Sequence, residues 1–320
     1  MKPFAFVFPG QGSQSVGMLD AWGDDAVVAQ TVQEASDALG QDIGRLIHEG
    51  PKEALALTTN TQPVMLVAGV AAYRAWMART GWAPVAVAGH SLGEYAALVA
   101  AGVLTMTQAA PLVRLRAQAM QEAVPVGQGS MAAVLGLPSE TVVACCASVQ
   151  ATFAEQSSEV VEVANFNDPG QTVISGSKLA VERACEALKA AGARRAILLP
   201  VSAPFHCSLM RPAAEKLRAA LIGLELQAPQ IALINNVDAA VEVDADRIRD
   251  ALFRQAFGAV RWVECIQAIK ARGLQHIVEC GPGKVLAGMV ARIDASLSGV
   301  AMFDPPSVQL AQQALEGVAA

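Results

Sequence analysis

Ser91 lies in the pentapeptide Gly89-His90-Ser91-Leu92-Gly93. Residues 83–88 ahead of it are apolar and strand-like. Residues 94–101 behind it are alanine-rich and helix-like, and Gly102 ends the run. A serine between strand and helix in Gly-x-Ser-x-Gly is the pattern of a nucleophile elbow. The sharp turn strains the serine backbone, and glycines without a Cβ let strand and helix close around it. The hydroxyl is left at a helix N-terminus, where N–H groups and the dipole favour developing negative charge. The chemistry such a group performs is acyl transfer through a serine ester, to water or to another acceptor. The competing reading is a chance pentapeptide in an alanine-rich chain, and the flanking elements weigh against it.

A serine nucleophile needs a base. The histidines are His48, His90, His206 and His276. His90 adjoins the serine and projects differently from it. His206 follows Pro204-Phe205 in a loop whose backbone the proline fixes, and it is the best candidate. An α/β-hydrolase places an acid between serine and histidine in the chain. The only aspartate in that interval is Asp168, in an Asn-Asp-Pro-Gly turn.

The helix expected over 107–123 carries a cation. Leu112, Val113, Ala119 and Met120 lie one turn either side of Arg116, so Arg116 shares the apolar face, while Arg114 points elsewhere. An arginine on a buried face is costly unless an anion meets it. That anion is either a ligand or an internal carboxylate; a snorkelling stem is the third reading.

Two glycine-rich turns do not bind nucleotides by any standard fingerprint. Pro9-Gly10-Gln11-Gly12-Ser13-Gln14 has Ser15 where a dinucleotide loop needs glycine, and Gly281-Pro282-Gly283-Lys284 lacks the rest of a P-loop. The first can still bring N–H groups to an oxyanion, or be a plain tight turn.

Several classes are excluded by composition. The 320 residues are 53% apolar and 16% charged, enough for a real core in one large or two modest domains. No run approaches a membrane span, and the start of the chain reads as a first strand rather than a signal peptide. A net charge of −6 argues against nucleic acid. Cys145, Cys146, Cys185, Cys207, Cys265 and Cys280 show no metal or C-x-x-C spacing, which suggests reduced thiols in the cytoplasm and no metal.

The elements that must position these groups alternate. Residues 4–8 read as a strand, and 26–39 and 43–49 as helices. Residues 58–62 read as a polar loop, with Pro63 opening a helix to about 79. Residues 128–199 read as an inserted unit, with strands 131–135, 160–164, 172–175 and 195–199 and helices 139–149 (capped by Ser139) and 179–191. That β-α-β-β-α-β order is ferredoxin-like. Strands 231–234, 276–279 and 300–303 alternate with helices in the remainder. The fold class is α/β: a parallel-sheet, α/β-hydrolase-like large domain (1–127 and 200–320) with a small ferredoxin-like domain (128–199).

Taken together, Phe8-Pro9-Gly10-Gln11-Gly12, Thr61-Gln62-Pro63, Gly89-His90-Ser91-Leu92-Gly93-Glu94, Arg116 before Met120-Gln121, Ala164-Asn165, Pro204-Phe205-His206 and Glu279-Cys280-Gly281-Pro282-Gly283-Lys284 are motifs in a specific order. In that order the chain resembles the malonyl-CoA:acyl-carrier-protein transacylases from end to end. The resemblance implies Ser91 as nucleophile and His206 as base. It implies Gln11 and Leu92 as backbone oxyanion donors, and Arg116 as partner of the malonyl carboxylate. Gln255 matches the position whose backbone carbonyl orients the histidine, although Ala256-Phe257-Gly258-Ala259 departs from many relatives. Asn165 and Gln62 match positions near the site, and Phe205 the pattern of malonyl-selecting members. The implied substrates are malonyl-CoA and acyl carrier protein, with no cofactor and a monomer as the default. Lys189, Arg194, Arg195, Arg211, Lys284 and Arg292 are candidates for meeting an acidic carrier, against plain solvated charge. The same residues would serve malonate decarboxylation or polyketide assembly. A serine esterase and a silent acyl-binding subunit are the competing classes.

Overall fold

A computed structural model describes residues 1–154 and 157–317. Five parallel strands form the main sheet: β1 (Phe4–Phe8), β2 (Ala86–Gly89), β7 (Ala232–Ile234), β8 (His276–Cys280) and β9 (Ser298–Met302), ordered β7-β2-β1-β8-β9. Period-two alternation explains how β1 serves both faces. Phe4, Phe6 and Phe8 point into one apolar layer, and Ala5 and Val7 into the other. The phenylalanines meet Trp76 and Tyr73 edge-on, with Phe6 and Trp76 ring centroids 5.5 Å apart. Such a two-sided sheet must be covered by helices on both sides. Helix Thr58–Thr80 lies on the phenylalanine side; helices Trp262–Ala271 and Val285–Ile293 lie on the other.

The inserted unit is a four-stranded antiparallel sheet: β3 (Gly129–Leu135), β4 (Val161–Asp168), β5 (Gln171–Ser177) and β6 (Arg195–Leu198), ordered β4-β5-β3-β6. Helix Lys178–Ala190 turns Ala180, Val181, Ala184, Cys185 and Leu188 onto one face of this sheet, at helical spacing. Helix Ser139–Gln150 joins it there, and Ala132 and Val134 face both helices. The alternate residues, Met131 and Ala133, face a cavity shared with the main body. Backbone hydrogen bonds tie the two parts together: Phe166 N–H donates to Val260 O (2.9 Å) and Val260 N–H to Ala164 O (2.8 Å).

Local details differ from the sequence reading. Residues 58–62 are the first turn of helix Thr58–Thr80, not a loop. Thr58, Thr61 and Gln62 are buried there with paired side chains: Thr61 Oγ1 donates to Leu55 O at 2.7 Å. Pro63, the sixth residue of the helix, removes one i→i−4 bond, the one to Thr59 O, and the helix continues through it. Ser139 is the first helical residue rather than the cap, and its hydroxyl faces Thr172. The strand before the elbow begins at Ala86, because Pro84 cannot donate to a ladder.

The loops after β1, β2, β7 and β8 all emerge at the carboxyl edge of the parallel sheet, where ligands bind in such folds. The elbow closes there only because Gly89 and Gly93 lack side chains. A Cβ on Gly89 would lie 1.9 Å from the carbonyl carbon of Gly93. Gly89→Ala should therefore cost about 3 kcal/mol and lower the thermal midpoint by several degrees. A melting curve superimposable on the parent's would contradict this packing.

Candidate active site

Among the described residues only Ser91, His206 and Ala239 are non-glycines at positive φ. Two of the three face each other. Ser91, at φ 52°, sits on the turn between β2 and helix Gly93–Ala100, and its Oγ is 2.6 Å from His206 Nε2. His206, at φ 60°, is buried, and its Nδ1 is 2.9 Å from Gln255 O and 3.2 Å from Gly258 O. Two carbonyls thus fix the ring with the proton on Nδ1 and a bare Nε2 toward the hydroxyl. Strain of this kind persists only where surroundings over-determine it. Asn236, just past β7, supplies that: its Oδ1 accepts from Ser91 N–H (2.7 Å) and its Nδ2 donates to Gly89 O (2.7 Å).

With Ser91 N–H engaged, the next free donor at the helix start is Leu92 N–H. Gln11, in the loop after β1, lines the same cavity. Among the described residues no acceptor bonds either backbone N–H. The Gln11 side chain is held by Thr58, whose Oγ1 donates to its Oε1 at 2.9 Å. A close approach at Gly10 brings this loop in: a Cβ there would lie 2.6 Å from His90 O.

Arg116 is 2% exposed and points at the serine, with Nη2 3.3 Å from Ser91 Oγ. Its other partners are amide oxygens, Gln62 Oε1 (2.6 Å) and Gln255 Oε1 (3.0 Å). Its guanidinium lies over the Tyr95 ring at 5.4 Å. Among the described residues no carboxylate pairs with it, and its Nε has no partner. The internal salt bridge is therefore excluded for Arg116. Arg114 reaches Gln41 instead.

Asp168 binds Arg292, with Oδ2 to Nε at 2.8 Å, so it is not an acid on the histidine. His90 turns away from the serine to Asn167 Oδ1 (2.9 Å) and packs against Trp262. Gln62, Asn165 and Phe205 line the cavity with Ser91, His206 and Arg116; its volume is about 670 Å³. Of the candidate basic residues, Arg211 stacks on Phe257 and Lys284 on Phe303. Lys189, Arg194 and Arg195 are exposed. Sequence reasoning missed Glu94, Asn236 and Asn167. A lone charge in the otherwise apolar start of helix Gly93–Ala100 was the available signal for Glu94.

Burial, reinforced by the Arg116 charge, pushes the His206 imidazole down to about 3. Burial pushes the Glu94 carboxyl up to about 7, against donors from Gln255 and Asn236 and the Arg116 charge. The imidazole is thus a neutral proton acceptor near neutrality, next to a hydroxyl, a cation and free N–H donors. That set can form and discharge an ester of an anionic acyl group.

Fold and matches define an acyltransferase. The chain matches the acyl transferase domain family over residues 5–298. It is 49% identical over 314 residues to the malonyl CoA-acyl carrier protein transacylase of Escherichia coli strain K12, covering 97% of this chain and 99% of that one. The solved acyl-carrier-protein S-malonyltransferase of Burkholderia pseudomallei is 59% identical, with a TM-score of 0.93 over 98% of this chain and 99% of that chain. A malonyl-transacylase solved in complex with a type II PKS acyl-carrier protein is 48% identical, with a TM-score of 0.93 over 98% and 99%. The chain belongs to this acyl transferase family, alongside the malonyl CoA-acyl carrier protein transacylases.

The His206 shift has a consequence for stability. The unfolded chain binds a proton here from about pH 6.5 downward, whereas the folded protein does not until about 3. This group therefore weakens folding as pH falls through that window, and has no such effect above it. The stability advantage of the parent over His206→Asn should shrink between these limits by up to about 1.4 kcal/mol per pH unit. Denaturant titrations of both proteins across this range check the slope, and a pH-independent difference would contradict it.

Proposed function

We propose that the protein transfers the malonyl group from malonyl-CoA to the phosphopantetheine thiol of acyl carrier protein, in the cytoplasm, to supply fatty acid synthesis. One observation carries the reading: a buried guanidinium without a carboxylate stands 3.3 Å from a serine hydroxyl that is 2.6 Å from a neutral imidazole.

In this reading Ser91 Oγ attacks the thioester carbonyl while His206 Nε2 takes its proton. The N–H groups of Gln11 and Leu92 receive the oxyanion; loss of one such donor costs roughly 3 kcal/mol in a hydrolase. The imidazolium returns its proton to the departing coenzyme A sulfur. The carrier thiol then loses its proton to the same imidazole and attacks the malonyl-serine ester, and the imidazolium returns that proton to the departing Ser91 Oγ. Two half-reactions at one serine give ping-pong kinetics. Both exchanges trade one thioester for another through an ester, so no cofactor is required. One chain carries every group named, so a monomer suffices. Residues 1–127 and 200–320 form the catalytic body, with 128–199 as the small unit roofing the cavity.

Arg116 selects the acyl group. Its planar fork can hold a carboxylate through two parallel hydrogen bonds. It also depresses His206 while empty. A bound malonyl carboxylate offsets that charge and makes the base stronger only when the right substrate is present. Gln62 holds the guanidinium from one side, and Phe205 and Asn165 shape the space for the acyl group.

Radiolabelled malonyl should remain on the parent protein after denaturation and be absent from Ser91→Ala. Labelling of that variant would end the serine-ester reading. Arg116→Ala should lower kcat/KM for malonyl-CoA by up to about 10⁴-fold and raise relative use of acetyl-CoA. Undiminished malonyl preference would remove the role of Arg116. Arg194 and Arg195, exposed at the start of β6, suit an acidic carrier. Reversing both charges should raise the KM for carrier protein and not for malonyl-CoA; equal values would dismiss this surface.

A further inference from the structure

Gln255 does two separable jobs. Its backbone carbonyl meets His206, while its side chain lies between two opposite charges. Oε1 accepts from Arg116 Nη2 at 3.0 Å, and Nε2 donates to Glu94 Oε2 at 3.1 Å and to Ser91 O at 2.8 Å. The amide cannot be reversed without setting its oxygen against two acceptors and its NH₂ against a guanidinium. Glu94 and Arg116 are both buried, and no hydrogen bond joins them. Glu94 Oε2 is further fixed by Asn236 N–H at 3.0 Å.

Resting on Arg116 as the carboxylate receptor, we propose that the Gln255 side chain is a spacer. It holds Glu94 one amide away from Arg116, so that the guanidinium keeps a counter-charge yet remains open to the acyl carboxylate.

The physical problem it solves is specific. A buried arginine with no anion nearby pays a desolvation cost of several kcal/mol. Direct contact with Glu94 would remove that cost and also occupy the fork. An amide between them relays the charge through two hydrogen bonds, and leaves Nη1 with a spare proton and Nη2 directed at the serine. Glu94 and Gln255 are thus positioning residues, acting on substrate only through Arg116. The other ionisable groups coupled to Glu94 or Arg116 are Asp238, Tyr95, Cys265 and His206, the last held neutral by burial and by the Arg116 charge. Tyr95 and Cys265 are held in their neutral forms by burial, to about 12 for Tyr95.

The test compares kcat/KM for malonyl-CoA and acetyl-CoA in Q255A, E94Q, Q255A/E94Q and R116A, with thermal melts for each. In Q255A the guanidinium can reach Glu94, and the malonyl:acetyl ratio should fall about 100-fold. In Q255A/E94Q the captor is neutral, and about tenfold of the ratio should return. A ratio unchanged in Q255A but lost in R116A overturns the spacer and leaves the receptor standing. A ratio lost in Q255A and not regained in the double variant overturns the part given to Glu94. A ratio kept in R116A overturns the receptor, and this proposal with it. Should Q255A fail to fold, E94Q alone decides at about pH 8.5, where Glu94 is ionised in the parent. Removing its charge should lower the KM for malonyl-CoA about threefold relative to acetyl-CoA, and an equal ratio overturns the proposal.

Discussion

The site is built around a cation kept out of water and given no anion in direct contact. Arg116 sits on the inner face of helix Met106–Ala123, among Leu112, Val113, Ala119 and Met120. Burying such a charge is tolerable only because groups of fixed polarity surround it and a carboxylate stands one amide away. The Gln62 and Gln255 oxygens, the Tyr95 ring and the remote Glu94 carboxylate share that task. The site is consequently incomplete in an electrical sense before substrate arrives. Burial keeps His206 unprotonated, and the charge of Arg116 adds to that effect. The cation proposed to select the acyl group thus also contributes to the state of the base.

The second constraint is geometric. The parallel sheet delivers the loops after β1, β2 and β7 to one edge, so Gln11, Ser91 and Asn236 converge although they are far apart in the chain. Two strained backbones, at Ser91 and His206, are held by hydrogen bonds from elements with rigid cores behind them. The small sheet contributes no proton-transfer group. Its share is enclosure: Met131, Ala133 and Val173 close the cavity from above.

Much of this was legible in the residues. Apolar runs and helical spacing located nearly every element: β1 is a continuous apolar run, and the helix at Lys178–Ala190 carries its buried residues on one face. Elbow, histidine and arginine could be named because each breaks a local rule: a strained serine turn, a proline-fixed loop histidine, a charge on an apolar face. Polar composition misled at 58–62, where threonine and asparagine side chains satisfy a buried helix start rather than a loop. Glu94 and Asn236 were invisible as a pair, since 142 positions of chain separate them. Whether Arg116 met an internal carboxylate was also undecidable from spacing. Only the three-dimensional arrangement shows amides there instead.

Strand β4 is tied to the main body at several points. Its backbone exchanges hydrogen bonds with Val260, Asn167 holds His90, Asp168 holds Arg292, and Glu162 accepts from Ser208. With the roof fastened along its length, the gap between sheets has a set bore. If the proposed transfer holds, adaptation must come from the visitor: a long, jointed thioester arm can thread such a slot to Ser91, whereas a stiff donor could not. On the proposed reading, reach to Ser91 is then set by the length of the tether that enters, and the acyl group it brings meets a wall that does not move aside.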